Sequence, residues 1–573
     1  MKKLILLLGF FLVLASIVPA QEMTLDPQQP VNTQIAADTL ADGSQAHSVY
    51  KVEKNQFYAF DGTLECDFDL VIEGPSDGWI LHEQNPPVFF QTPASDGTAR
   101  DMINLNQGGS VTLKNILLTG LHPNDVNISS FVRNFAGYKI VWDNCVFADH
   151  RDHATRSTGA TDTISITNCV FINMDRRGSS PFGGMPFRLD AACTHLTFEN
   201  NTIVNGAREF GNGGDFITSN MTEIHNTILN QQVNGHELHW YTALQANNIY
   251  YNWSWRGRSL RTNGYEAPFT TFETFANVKD NLDSISLYEG NNLFYLDPAF
   301  PDYWNSTINP AVATDSDKII QCYLWNLDVD STIEADNNFT IGKNYWQFDP
   351  GFTMNPTVTD SMLAWDNAYW VTKPAAYPDW RITSPITWNS NGTPNLNWPP
   401  NFDLSYSNTY LQKAGTDGLP LGDLNWYPSA LADYQANRTQ YIAALMDSMT
   451  NATWVYTPGD SASGIVTPDM VAVKYESSNL PASYYLGNNY PNPFNPSTTI
   501  KFGLPQQSEV TITIFNVLGQ KVFEETENSL AAGIHSFSFD ASQLSSGIYI
   551  YNIRAVGANG KNFVASKKMV LLK

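Results

Sequence analysis

The sequence predicts an all-β chain in which a parallel β solenoid is followed by a small β-sandwich. Two observations carry this. An Asn followed by three mostly apolar residues recurs at Asn115–Leu118, Asn144–Phe147, Asn168–Phe171, Asn201–Val204, Asn226–Leu229, Asn248–Tyr251 and Asn292–Tyr295, with steps of 29, 24, 33, 25, 22 and 44 residues. A motif returning every 20 to 50 residues or so marks a solenoid. The segments between repeats hold short β-branched runs bounded by Gly, Asn and Asp, with no helical periodicity. From about Pro481 the texture changes to short alternating strands separated by turns.

The elements follow in order. Lys2 and Lys3 precede the apolar run Leu4 to Val18, and Val18-Pro19-Ala20 supplies small residues for cleavage, so 1–20 reads as a signal peptide. That run is short for a membrane span, and the mature chain is expected to carry no transmembrane segment. Residues 21–100 read as an N-terminal cap and first coils, and 101–427 as the solenoid with irregular C-terminal coils. Tyr345–Phe352 echoes Asn291–Phe300. Spaced apolar residues (Leu431, Tyr434, Tyr441, Leu445, Met449) predict a capping helix over 428–452. A linker over 453–480 and the sandwich over 481–573 complete the chain.

The repeated Asn has a physical reason. A coil must turn sharply between strands, and Asn tolerates the left-handed backbone such a corner needs. With coils about 4.8 Å apart, stacked side-chain amides can bond one another and satisfy groups otherwise buried without partners. Cys145 and Cys169 each follow a repeat Asn and are expected to stack, either as a disulfide or, on geometry, as buried free thiols.

Composition narrows the function. The net charge of −24 and pI near 4.7 exclude general nucleic-acid binding, which needs a basic face. Five scattered cysteines do not make a disulfide scaffold, and no HExxH, CxxC or zinc-spaced cluster is present.

Two resemblances follow from these residues. The repeat resembles the right-handed parallel β-helix of pectate-lyase-like proteins, and the segment Ala414–Trp426 is similar to the end of β-helix proteins from polysaccharide-degrading bacteria. Tyr490–Phe502, Phe515–Val522, Leu544–Tyr549 and Lys567–Lys573 together resemble a type A sorting domain of the type IX secretion system. That resemblance implies an Ig-like sandwich, the outer-membrane export machinery as a partner, and release or surface attachment of the product.

Candidate site residues come from the charge pattern. Ten of fourteen Arg lie between Arg133 and Arg261. Arg151, Arg176, Arg208 and Arg256 fall seven or eight residues after a repeat Asn, so they are expected to stack. Arg133, Arg156 and Arg188, then Asp215 and His239, form a second set ahead of it. Stacked guanidinium groups suit an anionic polysaccharide, since Arg binds carboxylate or sulfate bidentately.

The pectate-lyase resemblance implies β-elimination with Arg or Lys as base, often with calcium held by carboxylates. On that reading Arg188, Arg151 and His150 are catalytic, and Arg133, Arg156, Arg176, Arg208, Arg256 and His239 bind substrate. Asp149, Asp152, Asp175 and Asp190 then hold the calcium. No complete family active-site motif is present, nor the paired Asp typical of polygalacturonases. The aromatics Trp240, Tyr241, Tyr250, Tyr251, Trp253 and Trp255 read equally as sugar platforms or as core. The second function class, a non-catalytic glycan-binding or adhesive surface protein, stands beside the lyase. The two differ in whether the charges converge on a groove or pair along a flat face.

Overall fold

The computed structural model describes residues 22–572 apart from 83–84, 93–99, 122–129, 176–183, 213–215, 234–238, 260–285, 313–316, 321–338, 391, 451–464, 467–483, 491, 531–532 and 558–561. The expected signal peptide, most of the expected linker, Arg176, Asp215 and Cys322 lie outside the described residues, as does the side chain of His239.

Each full coil contributes three strands, and coils stack in parallel to give three sheets. One turn reads His153–Ser157 in the second sheet, Thr161–Thr167 in the first and Val170–Met174 in the third. The first sheet runs from Glu22–Thr24 to Phe339–Ile341. The second is shorter, from Leu64–Cys66 to Phe210–Asn212. The third begins at Phe57–Phe60 and reaches Asn344–Trp346 and Ile465–Val466. The solenoid therefore begins within the first 100 residues, and the echo at Tyr345 adds a strand to the third sheet.

The corner between first and third sheets carries two columns where the sequence repeat suggests one. Asn115, Asn144, Asn168, Asn200, His225, Asn247 and Asn291 hold the left-handed position, with φ between 52° and 63°. The next residue on each coil points inward: Cys145, Cys169, Asn201, Asn226, Asn248 and Asn292 are buried. Only this inner column forms the continuous amide ladder. Asn201 Nδ2 donates to Asn226 Oδ1 at 3.1 Å, Asn226 to Asn248 at 3.0 Å and Asn248 to Asn292 at 3.1 Å. The repeat merges the columns because its first three Asn are outer and its last four are inner. The cysteines Cys66, Cys145, Cys169 and Cys193 are buried free thiols.

A second ladder lies where chains leave the third sheet. Asp149, Asn173, Asn205, Asn230 and Asn252 are all left-handed there. Their side chains bond in two runs, Asn173 Nδ2 to Asp149 Oδ1 at 3.0 Å, and Asn252 to Asn230 at 2.9 Å and Asn230 to Asn205 at 2.8 Å.

The third sheet is apolar on both faces, as its unbroken buried strands require. Its outer residues, among them Val146, Ile172, Val204 and Leu229, pack under Phe348, Ile386, Phe402, Leu404, Tyr406 and Leu421. The chain beyond the last coil thus folds back over that sheet. Residues 416–425 then run down the Asn corner, with Asp417 bonded to His225 at 2.7 Å and Asp423 to Thr202 at 2.7 Å. The helix Pro428–Thr450 lies on the outside of the first sheet, with Tyr434, Leu445 and Met449 against Ile224, Leu244 and Tyr288.

The C-terminal unit is a sandwich of two antiparallel sheets. One pairs Tyr485–Tyr490, Ser497–Leu504 and Gly533–Asp540, and the other pairs Lys521–Leu530, Ser508–Asn516, Gly547–Gly557 and Asn562–Leu571. It has its own core around Phe502, Ile514, Tyr551 and Met569.

Candidate functional site

With the third sheet covered and the helix over part of the first, the second sheet is where a stacked column of arginines forms. Its strands alternate. Val132, Asn134, Thr155, Ser157, Phe187 and Leu189 are buried, while the residue between each pair is not. Those intervening residues are Arg133, Arg156 and Arg188, paired in register on adjacent coils. Strand spacing places their Cα atoms about 4.8 Å apart. The column continues downward through Asn104 to Glu65 and upward to Gly211.

Asp190 ties two of the three together. It accepts from Arg156 Nε at 2.6 Å and from Arg188 Nε at 2.8 Å. Burial alone would raise its pKa, but the two guanidinium groups hold it below the ordinary carboxylate value. Arg133 makes no ion pair among the described residues; its guanidinium lies 5.7 Å from the ring centre of Phe135, which is 46% exposed. Glu65 is taken up by Asn104 at 2.7 Å and Asn106 at 2.9 Å.

Among the described residues the other expected column does not form a surface. Arg208 and Arg256 are buried, and Arg256 stacks on Tyr369 at 4.6 Å and Trp370 at 5.6 Å. Arg151 is half-buried. Offsets of seven and eight carry the chain past the second Asn corner, where it turns towards the interior rather than along an outer face.

His150 is fully buried, 4.8 Å from the Phe131 ring, with Nδ1 accepting from the Asp152 amide at 3.1 Å. Burial pushes its pKa down to about 3, so the ring is neutral and enclosed. That corrects the expectation of His150 at an open site.

The four carboxylates proposed for calcium occupy different places. Asp149 belongs to the second ladder, accepting from Asn173 at 3.0 Å and from the Ser384 hydroxyl. Asp152 pairs with His153 at 2.9 Å, Asp175 is buried and Asp190 bridges the arginines. Among the described residues no three His, Cys, Asp or Glu side chains are grouped to hold a metal, so these residues do not fit a calcium cage.

The aromatics are core. Tyr250, Trp253 and Trp255 are at most 1% exposed, and Trp255 packs on Phe300, Trp365 and Trp380. Asp190 is the residue whose place in the column the sequence left unread: the Arg188-Leu189-Asp190 spacing puts it two residues on, at the end of the strand.

Comparison with known proteins bears on the C-terminal unit. The family of secretion system C-terminal sorting domains matches residues 488–571. The terminal sandwich is a sorting domain. It marks the chain for export by the type IX machinery, followed by secretion or attachment to the outer cell surface. Among solved structures, dimeric latent PorU from Porphyromonas gingivalis is similar at 17% identity and a TM-score of 0.14, over 16% of this chain and 10% of that one. CopC from Methylosinus trichosporium OB3b is similar at 17% identity and a TM-score of 0.13, over 16% of this chain and 93% of that one. No curated protein matches. Among the described residues no helix is long and apolar enough to cross a membrane. What the sorting domain delivers is a parallel β-helix.

Proposed function

We propose that the second sheet binds an extended anionic polysaccharide outside the cell. The observation that supports this is the in-register column Arg133, Arg156 and Arg188 on a chain of net charge −24. One guanidinium per coil presents a regular row of cations to a polymer with regularly spaced carboxylates or sulfates. Asp190 holds Arg156 and Arg188 through Nε, which leaves their terminal nitrogens for bidentate bonding to the polymer. Phe135 adds an exposed apolar face beside Arg133 on which a sugar ring can lie.

The binding reading is preferred to cleavage because His150 is enclosed and the four Asp do not converge. β-Elimination stands as the second reading, favoured by the paired guanidinium groups at Asp190. Such a pair would neutralise a uronate carboxylate and acidify the neighbouring C–H.

Calorimetric titration with polygalacturonate, alginate and a neutral dextran tests both. Binding to a polyanion that weakens with added salt, and disappears in an Arg133→Ala, Arg156→Ala, Arg188→Ala triple variant, is the expected result. Equal binding by the triple variant would sink the proposal. Ultraviolet absorbance from an unsaturated product would move the reading from binding to lyase.

A further inference from the structure

A second concave surface lies on a different part of the solenoid and has different chemistry. The loop holding Asp77, Gly78, Trp79 and His82 arches over the Asn corner of the lower coils. The start of the helix Pro428–Thr450 closes the opposite side through Leu431, Ala432 and Gln435. The cleft between them has a volume of about 610 Å³, within the range of small-ligand sites.

Its walls are held in place. Trp79 Nε1 donates to the Asn168 carbonyl at 3.1 Å, and its ring meets Trp426 edge-on at 4.7 Å. Asn144 fixes the loop twice, accepting from the Ile80 amide at 2.8 Å and donating to the Gly78 carbonyl at 2.8 Å. Asp143 is oriented through one oxygen, Oδ1, which accepts from Thr167 and Asn168.

The lining is amphipathic. Leu431 and Ala432 supply apolar surface beside the edge of Trp79, which is 8% exposed, with the exposed His82 ring 5.2 Å from Trp79. Facing them are Glu73, Lys114 and Asp143, in register on three adjacent strands, and the exposed Gln435. Lys114 makes no ion pair among the described residues, whereas Glu73 is matched by Lys51 at 3.0 Å and Asp77 by Lys54 at 2.7 Å.

We infer that this cleft is a second ligand site, for a short neutral saccharide. A sugar ring has an apolar C–H face and a rim of hydroxyls that both donate and accept. The cleft offers a matching apolar wall, carboxylate and amide acceptors, and the ammonium and amide donors of Lys114 and Gln435. With Glu73 and Asp77 matched by Lys51 and Lys54, Asp143 and Lys114 leave the cleft close to neutral, so it does not duplicate the cationic arginine column. The inference stands apart from the polyanion reading.

The test is titration of the mature chain with cellohexaose and with mannohexaose, followed by tryptophan fluorescence and calorimetry. Saturable binding of at least one is expected, weakened about tenfold or more by Lys114→Ala with Gln435→Ala. The Arg133, Arg156 and Arg188 variant should bind these sugars like the parent. Both Lys114 and Gln435 lie outside the core, so an unchanged thermal transition certifies the fold. The inference is overturned by absence of binding to either sugar, by binding that survives the double change, or by binding that vanishes with the arginines.

Discussion

Asn226 shows how much one polar side chain holds inside the solenoid. Its oxygen accepts from the Asn201 amide at 3.0 Å and side chain at 3.1 Å, and its Nδ2 donates to the Phe198 carbonyl at 2.8 Å. Asn226→Leu keeps the branched shape but leaves these buried groups without partners, so a loss of about 3 kcal/mol or more is expected in chemical denaturation. Asn200→Ala, in the outer column, should cost only about 1–2 kcal/mol, chiefly for holding Ala in the left-handed conformation. Equal costs would show that the two columns do not differ in kind. The sequence makes Asn legible as a corner residue, but one residue type serves both columns for different reasons. Backbone strain selects it outside and amide pairing inside, so composition alone cannot separate them.

Asp423 sets a pH dependence at the same scale. It is enclosed where the returning chain meets the Asn corner, and burial raises its pKa from 3.8 to about 7, against bonds from Asn425 and Thr202 that favour the charged form. A carboxyl whose folded pKa lies above its unfolded one binds more protons when folded. Its contribution is therefore most favourable at low pH and is lost as pH rises from 3.8 to about 7. Asp423→Asn removes that titration. Its thermal transition is expected to change less than the parent's between about pH 4 and pH 8. The stabilisation relative to the parent should appear at the alkaline end. A variant with the parent's pH profile would show that Asp423 titrates normally.

Among the elements, the helix Pro428–Thr450 is the one whose existence the apolar spacing made plain and whose docking it did not. Spacing shows one apolar face but not which surface will cover it. The structure decides this with Glu199, a buried residue on the first sheet that receives Arg438 Nε at 2.7 Å and the Tyr434 hydroxyl at 3.2 Å. Arg438→Met leaves that carboxylate without its cation and should destabilise by about 3 kcal/mol, the low end for a broken buried pair because Arg438 itself is partly exposed. Combining it with Glu199→Gln should recover most of the loss, since no buried charge then remains. Additive losses would mean that the pair contributes no coupling. The arginine offsets differ from the observed column for a related reason. Fixed offsets from the repeat assume coils of constant shape, while the steps from 22 to 44 residues shift what each offset reaches. Arg133, Arg156 and Arg188 align because they sit within strands, where hydrogen-bond register is enforced.

At the scale of the whole molecule, the solenoid and the sorting domain are built on separate cores, one running through the coils and one inside the sandwich. The sorting motifs were readable because they are local, with turns and strand ends close in sequence. The cover over the third sheet was not, since its partners lie some 200 residues away, as Ile382 and Asn173 do. Independent cores imply independent folding. A chain ending at residue 480 is therefore expected to keep the thermal transition of the solenoid and to keep any glycan binding. In a host carrying the type IX machinery it should remain inside the outer membrane, whereas the full chain reaches the medium or the cell surface. Fractionation and immunodetection distinguish the outcomes. Export of the shortened chain would place the sorting signal elsewhere in the sequence. Retention together with loss of the solenoid's transition would instead show that the sandwich supports the coils as well as addressing them.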